Sequence, residues 1–168
     1  GIRVIQPDHL LPAIRPTYEG LYKGGATISC PIQDIPKHET QMSDLGIEST
    51  IGIKEMEFES PSGETYISSE IVYKGPDNIF VLGVTRPNIF IPIGPIDENI
   101  GIGGVAYSAR CITETENTID FFEQVLEFEI RRDVEFDVDN RSAINLPEGT
   151  TERFIQGFSP GSSSGYVV

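Results

Sequence analysis

Thr118-Ile119-Asp120-Phe121-Phe122-Glu123-Gln124-Val125-Leu126-Glu127-Phe128-Glu129-Ile130 is the stretch on which the reading of this chain turns. Thr118, Ile119, Phe122, Val125 and Leu126 recur at helical spacing and form one apolar stripe. From Phe128 the period drops to two. Phe128, Ile130, Val134, Phe136 and Val138 share one face, interrupted only by Arg132, while Glu127, Glu129, Arg131, Asp133, Glu135, Asp137 and Asp139 share the other. A helix here feeds a strand of a sheet with one wet face. Upstream, Gly104-Val105-Ala106-Tyr107-Ser108-Ala109-Arg110-Cys111-Ile112 reads as a strand, and downstream Thr151–Ser159 and Gly165–Val168 do the same.

The same order of elements occurs earlier in the chain. Gly24-Gly25-Ala26-Thr27-Ile28-Ser29-Cys30-Pro31-Ile32 alternates Ala26, Ile28, Cys30 and Ile32 with Thr27, Ser29 and Pro31, the period of a half-buried strand. A helix from Asp34 to Leu45 follows, with Asp34 as N-cap, Pro36 in the first turn and Gly46 as the stop. Its core face is Ile35, His38, Met42 and Leu45. Strands are expected over Ile51–Phe58, Thr65–Tyr73 and Asn78–Thr85, with turns at Pro61-Ser62-Gly63 and Gly75-Pro76-Asp77-Asn78. The expected fold is α+β, two βαβββ modules forming a half-open curved sheet with helices on the outside, since neither unit buries a core alone.

The expected divisions are an extended, Pro-punctuated lead-in over 1–23, a first module over 24–86, a Pro/Gly/Ile-rich linker over 87–103 and a second module over 104–168. The start at Gly1 and the apolar run Tyr166-Val167-Val168 read as the interior of a longer protein, with the lead-in ending a preceding element and the last strand truncated. Open strand edges then imply a homodimer or packing against further modules.

Twelve basic residues against 26 acidic ones leave a net charge of −14, which repels phosphate backbones; no nucleic-acid partner is expected. No apolar run approaches the ~20 residues of a membrane helix, and no signal-peptide pattern opens the chain, so no membrane partner and a cytoplasmic location are expected. Cys30 and Cys111 fall inside strands and read as reduced core thiols, and Asn140-Arg141-Ser142 reads as a chance sequon.

The phrase from Thr118 to Ile130 resembles the helix-to-strand signature of the vicinal oxygen chelate superfamily, which includes glyoxalase I, bleomycin-resistance proteins and extradiol dioxygenases. Asp34–Ile47 is similar to the weaker helix of that family's other modules. The resemblance covers about 24–85 and 104–168 and implies a protein that binds or acts on a small oxygen-rich or aromatic molecule, by metal-dependent lyase or dioxygenase chemistry or as a metal-free binding or structural module. Family enzymes hold a divalent metal with a His or Gln of the first strand and a Glu of the last. Those positions fall here on Thr27 and Tyr107, and near Val81 or Leu82, none a conventional ligand. No cofactor is evident in this segment, and a metal in an intact protein would take its ligands from elsewhere.

His9 reads as a solvated loop residue and His38 as a partly exposed helical one, so a two-histidine site is not expected. The glycine-rich stretches fit no nucleotide loop, no serine has an activating histidine, and no catalytic residue is assigned. Ligand-binding candidates are Thr27, Ser29, Tyr107 and Arg110. Arg110 and Arg132 either clamp an anion in the cavity or snorkel to water. Counting from the helix points Tyr107 into the cavity, whereas alternation points Ser108 and Arg110 there. Phe80, Leu82, Phe154 and Phe158 are expected to complete an apolar wall.

Overall fold

The computed structural model describes residues 16–18, 22–59, 63–87, 93–137, 144, 146–162 and 165–168. Chain order begins with β1 (Gly24–Pro31), α1 (Ile35–Asp44), β2 (Lys54–Glu59), β3 (Thr65–Lys74) and β4 (Phe80–Thr85). A small hairpin, β5 (Ile96–Asp97) and β6 (Ile102–Gly103), precedes β7 (Tyr107–Cys111) and α2 (Thr115–Asp120), which runs on as a π-helical turn over Phe121–Val125. β8 (Glu129–Asp137), β9 (Thr151–Phe158) and β10 (Tyr166–Val167) complete it. Eight strands form one sheet in the order β2-β3-β4-β1-β7-β10-β9-β8. β1 runs parallel to β4 and antiparallel to β7, and β7 runs parallel to β10.

The sheet is curled into a half-barrel. β2 and β8 stand at opposite ends of its strand order, yet the Arg132 guanidinium of β8 lies 4.6 Å from the ring of Phe58 on β2. The right-handed twist of each strand pair accumulates across eight strands until the two edges face each other.

α1 forms for the reasons its sequence offers. Asp34 caps it by accepting from Lys37 N at 2.9 Å, Pro36 occupies the first turn, and Gly46 takes the left-handed φ of 75° that ends a helix. Its buried contacts are Ile35 against Ile32, Ile71 and Tyr73, with Met42 packed alongside. Gly83 of β4 lies beneath them, where a Cβ would collide with Ile32 and Ile71. Leu45, expected on the core face, is instead 74% exposed, because the helix ends at Asp44 and its cap residue turns outward.

The opposite face of the sheet is the inner one. Phe80, Leu82 and Val84 of β4, Val72, Tyr107, Phe158 and Tyr166 pack there with Ile93. Tyr18 of the lead-in lies on the Phe80 ring at 5.4 Å and donates to Gly75 O at 2.6 Å. Each buried large apolar side chain contributes about 1.5–3 kcal/mol. β1 is covered on both faces. Thr27 (5%) and Ser29 (0%), expected as its polar side, are more buried than Ile28 and Cys30.

Three sequence expectations change. The second helix begins at Thr115 rather than Thr118, and its stripe is poorly covered: Val125 is 64% exposed and Leu126 40%. A bulge between Ile130 and Arg132 breaks the alternation of β8, so Ile130 faces α2 while Arg132 and Val134 face inward. The linker is more than extended chain: β5 and β6 pair, Ile102 bridges to Ile32, and Ile93 enters the inner core. His9, Val138, the sequon at 140–142 and most of the lead-in lie outside the described residues. No helix among the described residues is long and apolar enough to cross a membrane.

Candidate functional site

The inner face carries polar groups that a plain core would lack. Register puts Ser29 opposite Tyr107, and Tyr107 opposite Tyr166, so strands β1, β7 and β10 present three hydroxyls side by side. The Tyr107 and Tyr166 rings stack at 4.8 Å, and Phe158 stacks on Tyr166 at 4.9 Å. Arg86, just past β4, donates from Nη2 to the Tyr166 hydroxyl at 2.9 Å. On β3, alternation brings Tyr66, Ser68 and Glu70 to the same face as Val72, and Glu70 pairs in register with Lys54 of β2.

The carboxyl of Glu70 is pushed up to about 7 by burial, against the pull of Arg86 and Lys54. It therefore holds its proton to a higher pH than an exposed glutamate does. Burial also raises Tyr107 well above the ordinary phenol range, helped by the charges of Glu70 and Tyr166; Ser29 and Arg86 work the other way. Tyr166 is raised by burial and held back mainly by Arg86. At the mouth of the cup, Arg132 lies between the Phe58 and Phe154 rings, 4.6 and 5.7 Å away. Glu152, opposite Phe136 at the other end of β9, is raised by burial and drawn down by Lys54. In a chain of net charge −14, the inner face sets Lys54 and Arg86 within electrostatic reach of Glu70, and Lys54 within reach of Glu152.

Several of these groups have bonding capacity to spare. Ser68 Oγ, Arg86 Nε and Gln156 Oε1 are buried without a hydrogen-bond partner in protein, and the Ser29 hydroxyl has only the Tyr107 phenol beside it. Buried polar atoms are normally satisfied, so such a cluster marks a place for water or a ligand.

Of the residues expected from sequence, Ser29 and Tyr107 come together at this cluster. Tyr107 packs in the inner core cluster, on the opposite face of β7 from Ser108 and Arg110. Thr27 is buried one pleat further along β1, opposite Ala109 and Phe80. Arg110 is exposed opposite Gly25 and borders a separate cavity of about 480 Å³ between β7, β9 and the second helix. Phe80, Leu82, Phe154 and Phe158 all face inward. His38 is on the outer surface, edge-on to Tyr73 at 5.7 Å, with its pKa lowered by burial. Neither Cys30 nor Cys111 forms a disulfide, and burial pushes the Cys30 thiol up, away from nucleophilic use.

Glu70, Arg86, Lys54, Glu152 and Tyr166 were not picked out by sequence. The signal for Glu70 was present: a lone carboxylate on the Tyr66-Ser68-Glu70-Val72 face of an otherwise apolar strand end.

The resemblance implies a divalent metal, and the residues present do not fit one. The first-strand positions Thr27 and Tyr107 offer only hydroxyls, the last-strand position of the first unit falls near Val81 or Leu82, and the Arg86 cation binds the Tyr166 hydroxyl on the same face. Among the described residues, no three of His, Cys, Asp and Glu converge as a ligand set.

No protein family matches the chain, and no curated protein matches it. A crystal structure described as a "putative dioxygenase" from Bacillus subtilis subsp. subtilis str. 168 is 14% identical, with a TM-score of 0.45, over 88% of this chain and 41% of that one. The present chain thus spans less than half the length of that protein.

Proposed function

We propose that the chain is a small-molecule protein of vicinal-oxygen-chelate type, two βαβββ modules paired through β1 and β7, whose inner face binds a small oxygen-rich or aromatic anion. The observation that carries this is the convergence of Arg86 with the Ser29, Tyr107 and Tyr166 hydroxyls on a face with unpartnered buried donors. A guanidinium flanked by phenols suits a carboxylate or enolate, and the stacked rings suit a planar body. No step is assigned to a metal, because the donor set does not suit one.

Salicylate, planar and rich in oxygen, is a suitable probe. Calorimetric titration should detect it, and Arg86→Met and Tyr166→Phe should each weaken binding about tenfold, the loss of one charged or neutral hydrogen bond. Unchanged affinity in both variants would place the site elsewhere.

A second reading, proton transfer on the bound molecule, is favoured by Glu70 alone. A carboxyl titrating at about 7 is matched to both accepting and returning a proton at neutral pH. Deuterium incorporation from heavy water into a bound hydroxyketone, followed by NMR with dihydroxyacetone, should be lost in Glu70→Gln. Equal incorporation with the variant would reduce the protein to a binder.

A further inference from the structure

Arg86 presents its guanidinium along two edges, and the protein itself uses one of them. Nη2 donates to the Tyr166 hydroxyl at 2.9 Å, whereas Nε is buried with no partner. The β3–β4 ladder puts a second free group beside that edge. Its register pairs Glu70 with Val84 and Ser69 with Thr85, so one step further sets Ser68 opposite Arg86. Ser68 is fully buried, and its hydroxyl also lacks a partner. On its other side β2 offers it the thioether of Met56. Cross-strand neighbours stand about 5 Å apart, close enough for one small group to accept from both. Two buried donors left unmade at adjacent positions are costly, and an anionic oxygen is the acceptor that a guanidinium N–H holds best.

Glu70 is the next inner-face residue of β3 after Ser68. Two cations act on it: Lys54, opposite on β2, and Arg86. The Tyr107 and Tyr166 phenols feel its charge from β7 and β10, and Glu152 of β9 draws on the same Lys54. An anion seated at Arg86 Nε therefore competes with Glu70 for one guanidinium.

We propose that Ser68 is a specificity residue of the inner face, that a carboxylate seats between Ser68 Oγ and Arg86 Nε, and that Glu70 takes up a proton from solvent as the carboxylate arrives. The proposal rests on the inner face being the anion site; it adds the hydroxyl that reads the anion and the proton that accompanies it. Two carboxylates sharing one guanidinium disfavour each other's ionised form. Burial already holds Glu70 up to about 7, so a second negative charge beside it keeps it protonated to higher pH still. Affinity then falls by about tenfold per pH unit above 7 and levels off at lower pH, where Glu70 is protonated with or without ligand.

Calorimetric titration with salicylate, whose carboxylate stays ionised throughout, tests this at pH 6 and pH 8. Two buffers of different ionisation enthalpy at each pH count the protons taken up. The expected result is uptake of about one proton at pH 8, little at pH 6, and affinity about tenfold lower at pH 8. Ser68→Ala removes a buried hydroxyl without a partner, so the variant keeps its fold, and it should weaken salicylate about tenfold. Glu70→Gln should bind salicylate without proton uptake at either pH. Salicylamide, which keeps the ring and the hydroxyl but brings no charge, should bind at least tenfold more weakly. Salicylate that binds Ser68→Ala as tightly as the unsubstituted chain, or that binds at pH 8 with no proton, overturns the proposal and leaves the anion site standing. Absence of any salicylate binding to the unsubstituted chain overturns both.

Discussion

Glu70 stands opposite Lys54 and near Arg86, and burial still outweighs both cations to hold its carboxyl near 7. An unfolded chain titrates this group at about 4.5, so between pH 4.5 and 7 the native state keeps a proton that the unfolded state has lost. The stability tied to that proton is complete below 4.5 and is lost as pH rises through 7. Glu70→Gln should remove this slope, shrinking the difference in unfolding free energy between pH 4.5 and 8 by up to roughly 3 kcal/mol. Urea unfolding at the two pH values measures it; an unchanged difference would mean that Glu70 titrates as a solvated carboxylate. Ser29 makes a complementary case. Its hydroxyl is fully buried opposite Tyr107 and hydrogen-bonds that phenol. Ser29→Ala should therefore push the Tyr107 phenol further up, weaken salicylate and cost roughly 1 kcal/mol of stability in urea unfolding. A gain in stability would show that the hydroxyl is an unsatisfied group in the core.

At the scale of elements, the two helices differ in how firmly they are seated. α1 is capped, and it buries Ile35 against Ile71 and Tyr73 over a glycine in β4 that lets the layers approach. Gly83→Ala should force Ile32 and Ile71 apart and cost about 1–3 kcal/mol, visible as a lower urea midpoint with unchanged slope. A neutral result would show that the Ile32 side chain rotates away freely. α2 buries no residue fully. It is held by Phe122 against Phe128 at 5.1 Å and by Glu116 on Arg153, which also grips Asp133 with two hydrogen bonds.

Over the whole molecule, curling is what turns a flat row of strands into a site. It carries Arg132 from one edge strand onto Phe58 of the other, and brings Lys54 within electrostatic reach of Glu152. Arg132→Ala removes this cross-edge contact and should cost about 1 kcal/mol, with faster amide exchange over Lys54–Glu59 than elsewhere. Equal acceleration throughout the sheet would mean that the edges hold together without it.

Short-range physics made much of this legible in the residues alone. The cap at Asp34, the stop at Gly46, the turn at Gly75–Asn78 and the mixed α+β character all depend on interactions within a few positions. What alternation could not convey was which face of a strand is inner when both are covered, as for β1 and β7, or where a bulge reverses the phase, as between Ile130 and Arg132. The Arg86–Tyr166–Glu70 cluster joins residues far apart in the chain through strand order and curl. Side-chain period and turn chemistry are local, and the sequence determined them by itself; the convergence of a cation, a carboxyl raised by burial and three hydroxyls follows from how eight strands twist and pair, and only the tertiary structure decided it.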